Sequence, residues 1–177
     1  MTFLTLAGSG DPNNDPFGEQ IQALYMLSYA LRMLLKQQGD EYTVYPLEGI
    51  WTTSDNSRGA TLNKAALTYE IMIRQPDSVD DGLFAEALTA TLAKKTNPYL
   101  SAVRRVRYTD GMAVQAIHTG PFETEGTTFA LMQTYLATQH LHQAPIMPPY
   151  QHREIYLSDF RRVAPEKRKT LLRYRIH

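Results

Sequence analysis

Glu154 and Tyr156 stand two residues apart in a segment, His152 to Leu157, where they alternate with Ile155 and Leu157. Successive side chains of a strand point to opposite faces, so Glu154 and Tyr156 share one face and Ile155 and Leu157 the other. A carboxylate among apolar groups binds cations or takes a proton from water as a general base. A phenol beside it offers a hydrogen bond to an oxygen that gains charge. The plain alternative is the solvated face of an antiparallel strand, and spacing alone leaves both readings open. Trp51, the single tryptophan, lies two residues after Gly49 and opens a polar stretch. It reads either as core packing or as the rim of a cleft. Tyr69 is likewise core or cage. His118 ends a strand-like run before Thr119-Gly120-Pro121 and reads as a histidine bonded to the turn backbone or as a ligand contact. Aromatic walls hold flat apolar molecules by area and stacking, and cations by their attraction to ring faces.

Other chemistries are excluded by what is missing. With no cysteine there is no disulfide, no thiolate metal site and no cysteine nucleophile. His140 and His142 are wrongly spaced for one helix face and have no acidic neighbour, so no metal is expected. There is no Gly-x-Ser-x-Gly elbow, and Gly8-Ser9-Gly10 lacks the lysine and spacing of a phosphate loop, so no cofactor is expected either. The 18 basic residues balance the 18 acidic ones, which gives no net field towards nucleic acid. The basic C-terminal segment reads as a half-buried strand with a solvated face rather than as a phosphate-reading surface. No apolar run has the length of a membrane span, and the N-terminus lacks the basic start of a secretory leader, so neither a membrane partner nor export is expected. Cytoplasm is the expected compartment.

These residues need elements to position them. Thr2 to Leu6 reads as a strand, and Gly8 to Pro16 as a loop. Ile21, Leu24, Tyr25, Leu27, Ser28, Leu31 and Leu35 recur at helical spacing until Gly39. Tyr42 to Trp51 reads as a strand broken near Pro46, Thr53 to Asn63 as a mobile hairpin tip, and Ala65 to Arg74 as a strand. Asp77 or Ser78 is expected to cap a second helix whose stripe runs Leu83, Phe84, Ala87, Leu88, Thr91, Leu92. Two strands follow, 102–108 and 112–118. A third helix turns Phe129, Met132, Tyr135 and Leu136 inward. Strands at 152–157 and 169–176 close the chain.

The order is β-α-β-β, a linker helix and strand, then β-α-β-β again, and the halves echo each other around Tyr45-Pro-Leu-Glu48 and Gln151-His-Arg-Glu154. The expected fold is α+β: two β-α-β-β repeats with pseudo-twofold symmetry, an antiparallel sheet with helices on one face and a ligand cleft on the other. At 177 residues, one domain spanning 1–177 is expected.

Five segments carry a resemblance: Tyr45-Pro-Leu-Glu-Gly-Ile-Trp51, Met72-Ile-Arg-Gln-Pro76, Val114-Gln-Ala-Ile-His-Thr-Gly-Pro-Phe-Glu123, His152-Arg-Glu-Ile-Tyr-Leu-Ser-Asp159 and Pro165-Glu-Lys-Arg-Lys-Thr-Leu-Leu-Arg173. Together they span nearly the whole chain, which resembles the GyrI-like (SOUL/GyrI) small-molecule-binding family. It looks most like the stand-alone branch, some members of which are cyclopropanoid cyclopropyl hydrolases that open the strained ring of DNA-alkylating natural products. The resemblance implies a cleft with a glutamate near its floor and aromatic walls. Glu154 matches that glutamate, and Trp51 and Tyr156 fall in motifs that look like wall positions; as catalytic residues Glu154 is expected to activate water and Tyr156 to support the departing oxygen with a hydrogen bond. Glu48 is the repeat partner of Glu154, and Tyr69, His118 and Phe122 join the ligand-binding set. The implied function is binding of flat hydrophobic molecules or xenobiotics, with hydrolysis of strained cyclopropane-bearing alkylators. The alternative is a non-catalytic drug sequestrant, or a module that binds a protein such as a topoisomerase.

Overall fold

Strand β1 (Thr2–Ser9) is buried from Thr2 to Leu6 on both faces, as its unbroken β-branched and apolar run requires. The structure is a computed structural model that describes residues 1–57 and 61–177. The tip of the expected 53–63 hairpin, residues 58–60, lies outside the described residues. The chain is α+β, with eight strands of antiparallel sheet and three α-helices among the described residues. The element order is β1, α1 (Asp15–Gln37), β2 (Leu47–Thr53), β3 (Leu67–Gln75), α2 (Asp81–Leu92), β4 (Arg104–Arg107), β5 (Ala113–Thr119), α3 (Glu125–Thr138), β6 (Gln143–Ala144), β7 (His152–Tyr156), β8 (Lys169–Ile176). That is the repeated order expected, with one two-residue strand, β6, added. No helix among the described residues is long and apolar enough to cross a membrane.

Two compact units divide the chain. The first comprises Met1–Leu47 and Glu70–Thr109. Its strands run in the order β4-β1-β3. Helix α1 buries Phe17, Ile21, Leu24, Leu27, Leu31 and Leu35 along one stripe, while Tyr29 is turned out to solvent. The strand expected from Tyr42 begins only at Leu47, because Pro46 has no N–H to give a ladder. Tyr42 instead bonds Gln75 Oε1 at 3.0 Å and the Ser28 carbonyl at 3.2 Å. The α2 cap is Asp80, which accepts from Leu83 N at 2.8 Å, and not Asp77 or Ser78. Ser78 gives its hydroxyl to Asp40 instead.

The second unit comprises Glu48–Tyr69 and Asp110–His177. Its strands run β2-β7-β8-β5, each pair antiparallel, with β6 also on β8. Strand β8 is two-faced. Thr170, Leu172, Tyr174 and Ile176 are buried, and the residues between them are half-buried. Helix α3 packs on the buried face, placing Met132 and Leu136 against Leu172, Tyr174 and Ile176, with Phe129, Val114 and Ala116 beside them. Tyr135, expected to face inward, is exposed, as is Leu131.

Candidate functional site

Strand β7 decides which side chains meet. Its register sets Trp51 opposite His152, Gly49 opposite Glu154 and Glu48 opposite Ile155. On its other edge Glu154 faces Leu172 and Tyr156 faces Thr170. Cross-strand partners share a face. His152, Glu154, Tyr156, Trp51 and Thr170 therefore stand on the face that α3 packs against, whereas the sequence reading put the cleft on the face away from the helices. His118 of β5 joins the same row, opposite Thr170.

Glu154 is held from both sides. The His152 Nε2–H donates to Oε1 at 2.9 Å, and the Tyr156 hydroxyl donates to Oε2 at 2.8 Å. The Trp51 indole N–H donates in turn to the Tyr156 oxygen at 3.1 Å. Burial and the negative charge of Glu154 raise the Tyr156 phenol well above its ordinary range, so it remains a donor. Gly49 makes the chain of bonds possible. A Cβ there would lie 2.6 Å from Trp51 Nε1 and 3.1 Å from the Tyr156 oxygen. The Glu154 side chain keeps 13 % of its surface open and that of His152 keeps 21 %, so neither is sealed from solvent.

A second carboxyl, unmarked in the sequence reading, enters from α3. Glu125 opens that helix and is 5 % exposed. Among the described residues its Oε1 is buried without a hydrogen-bond partner. Burial first, and the neighbouring charge of Glu154 next, push its carboxyl up to about 9, against a hydrogen bond with the Thr170 side chain that works the other way. The turn before α3 fixes its position. His118 Nε2 donates to the Pro121 carbonyl at 3.2 Å and lies 3.1 Å from Thr124 Oγ1. His118 Nδ1 meets Thr128 Oγ1 at 2.9 Å. Gly120 has a φ of 140°, and a Cβ there would lie 3.2 Å from both His118 Nε2 and Thr124 Oγ1. His118 thus takes the turn-backbone role.

Aromatic rings pack against the two side chains that hold Glu154. Phe122, Tyr156 and Phe160 pack edge to face with centroids 5.5–5.8 Å apart. Trp51 tilts against Tyr69 at 5.0 Å, and both are buried. Phe129 stands edge-on to His152 at 4.9 Å.

Glu48 does not join this group. It is on the opposite face, paired with the fully buried Arg153 at 3.1 Å. Arg153 also meets Asp110, and Asp110 pairs with Arg173. Desolvation raises the Glu48 carboxyl against the pull of Arg153. The repeat matched the two glutamates in sequence, but a one-residue offset in a strand reverses the face. Sequence reasoning also missed His152, Phe129 and Phe160. Strand parity from Glu154 would have found His152; nothing local marks Phe160. Among the described residues no group of three or more histidines and carboxylates is placed to hold a metal ion.

Three solved structures from Listeria innocua match the chain over its whole length. One, an uncharacterized conserved protein, is 32 % identical, with a TM-score of 0.89 and 88 % of its own chain covered. A second, a hydrolase, is 31 % identical, with a TM-score of 0.86 and 87 % covered. A third, the hydrolase encoded by lin2189, is 33 % identical, with a TM-score of 0.88 and 87 % covered. The chain belongs to the family of these Listeria innocua proteins. Two of the three members of that family named here are described as hydrolases. No family model matches the sequence, and no curated protein does.

Proposed function

We propose that the chain is a GyrI-like protein that binds flat hydrophobic molecules against its aromatic side chains and hydrolyses strained, cyclopropane-bearing alkylators. The observation that carries this is the Glu154 carboxylate, fixed by His152 and Tyr156 beside a ring cluster and not sealed from solvent. The hydrolase descriptions of two family members support a hydrolytic reaction. Such a substrate brings much of its own reactivity, because ring strain and a conjugated carbonyl already weaken the bond to be broken. Glu154 takes a proton from water as the water oxygen attacks the ring methylene. The ring C–C bond breaks, and its electron pair moves onto the carbonyl oxygen, which becomes a phenolate. Orientation by the aromatic rings and a positioned base supply the acceleration, the base contributing about 10²–10⁴-fold. Tyr156 serves here as a positioning residue, since its proton is already given to Glu154.

The test is multiple-turnover hydrolysis of a cyclopropane-fused cyclohexadienone, followed by loss of dienone absorbance. Wild type is expected to consume excess substrate, and Glu154→Gln, which keeps the shape and removes the base, to fall by about 10²-fold or more. A stoichiometric complex without turnover identifies a sequestrant. Equal rates for both proteins overturn Glu154 as the base.

A further inference from the structure

We infer that Glu125 is the acid of this site, the group that gives a proton to the oxygen on which charge develops, so that the reaction runs on a pair of carboxyls. The inference rests on the hydrolytic reading above and supplies the step that reading leaves open. Ring opening turns a neutral carbonyl into a phenolate, and a phenolate formed out of bulk water needs a donor. The Tyr156 proton is committed to Glu154, and the Trp51 N–H to Tyr156. Glu125 has an uncommitted oxygen. It is nine-tenths buried, its Oε1 has no hydrogen-bond partner among the described residues, and Thr170, which bonds its side chain, lies in the cross-strand row between Tyr156 and His118. A buried carboxyl left without a partner is costly for a fold to keep. A carboxyl held neutral at pH 7 in such a place is a donor ready for use.

The groups that act on Glu125 come from several elements. Glu154 and Tyr156 come from β7, with His152 beyond Glu154, and Glu123 comes from the same turn. From β8 there is Thr170, and His118 of β5 is tied to Thr124 and Thr128 on either side of it. Burial and the nearby carboxylates of Glu154 and Glu123 hold the proton on.

The step balances. Water oxygen bonds to the ring methylene carbon and the ring C–C bond breaks. Glu154 receives one proton from that water, and Glu125 gives its own to the carbonyl oxygen. The products are an alcohol and a phenol on one molecule. Glu154 then holds a proton and Glu125 a charge, and transfer of that proton to Glu125 restores both, with no other reactant.

The experiment compares Glu125→Gln, Glu125→Asp and Glu154→Gln on two cyclopropane-fused cyclohexadienones, one bearing an electron-withdrawing group that makes the product phenol more acidic. Glu125→Gln is expected to bind as wild type does, read by Trp51 emission, and to lose about 10²-fold in kcat on the plain substrate. On the activated substrate that deficit shrinks, because a better leaving oxygen needs less of an acid. The Glu154→Gln deficit stays the same on both, and Glu125→Asp regains part of the rate. Wild-type turnover by Glu125→Gln overturns the inference. So does a deficit that ignores phenol acidity, since that marks a merely structural carboxyl. If wild type binds both compounds and hydrolyses neither, the hydrolytic reading itself fails and the inference falls with it. The two failures are therefore told apart by wild type alone.

Discussion

Gly49 has no chemistry of its own, yet two of the site's hydrogen bonds depend on it. It lies opposite Glu154 in the ladder, and the space a Cβ would take is filled by the Trp51 indole and the Tyr156 hydroxyl. Gly49→Ala must push the indole aside or bend the strand. Overpacking of this kind costs about 1–3 kcal/mol. The same change removes the Trp51–Tyr156 bond, which frees Tyr156 to swing from Glu154. The expected outcome is a shift in tryptophan emission together with a lower unfolding midpoint, and emission and midpoint both at wild-type values sink the idea. Residue by residue, the sequence was readable where strand parity applies. The pairing of Glu154 with Tyr156 needs nothing but alternation. Glu125 was not readable, since an acid in the first turn of a helix is ordinarily a solvated partner of the helix dipole. Only the packing of α3 over Thr170 buries it.

At the scale of one element, β7 carries two different jobs on its two faces. One face presents His152, Glu154 and Tyr156. The other presents Arg153, fully buried and paired with Glu48 and Asp110. Two carboxylates around one guanidinium repay part of the desolvation of all three, and Arg173 completes the balance at Asp110. Removing the arginine leaves two buried acids uncompensated. Arg153→Met should therefore cost about 3–5 kcal/mol, measured by denaturant unfolding. It should leave turnover per folded molecule close to wild type, because the proposed substrate face is untouched. A loss below about 1 kcal/mol would mean that solvent already screens the pair. The repeat in the sequence suggested that Glu48 and Glu154 act together. Element order was legible from hydrophobic period and turn residues, but register was not, because register depends on which hydrogen bonds two strands choose. Caps have the same ambiguity: Asp77, Ser78 and Asp80 are all competent, and tertiary contacts took Ser78 to Asp40 and left Asp80 for the helix.

The whole molecule feels its buried acids through the dependence of folding on pH. Glu125 titrates near 9 when folded against an ordinary value of 4.5. The folded chain therefore holds a proton that the unfolded chain releases. The stability this brings is fully present below about 4.5 and is lost as pH rises through about 9. Glu48, also raised, acts in the same direction. Asp159 is lowered by Arg161 and acts in the opposite direction, present above its unfolded value and lost in acid, but its side chain is 34 % exposed and that of Arg161 52 %, so solvent screens the pair. Composition gave no hint of this. The equal numbers of acids and bases say that the net charge is zero, and nothing of which carboxyls are buried. The expected behaviour is a decline in unfolding free energy from mildly acid to alkaline pH. Subtracting the curve of Glu125→Gln removes the contributions of Glu48 and Asp159, which titrate in both proteins, and leaves that of Glu125 together with the neighbours it acts on. Gln is neutral at every pH, so the variant should gain on wild type steadily across that window and be level with it below about 4.5. Guanidinium unfolding at a series of pH values measures both curves in the ligand-free protein, independently of any turnover. Parallel curves would mean that Glu125 ionises at its ordinary pH in the fold, and the site would then hold two carboxylates rather than an acid and a base.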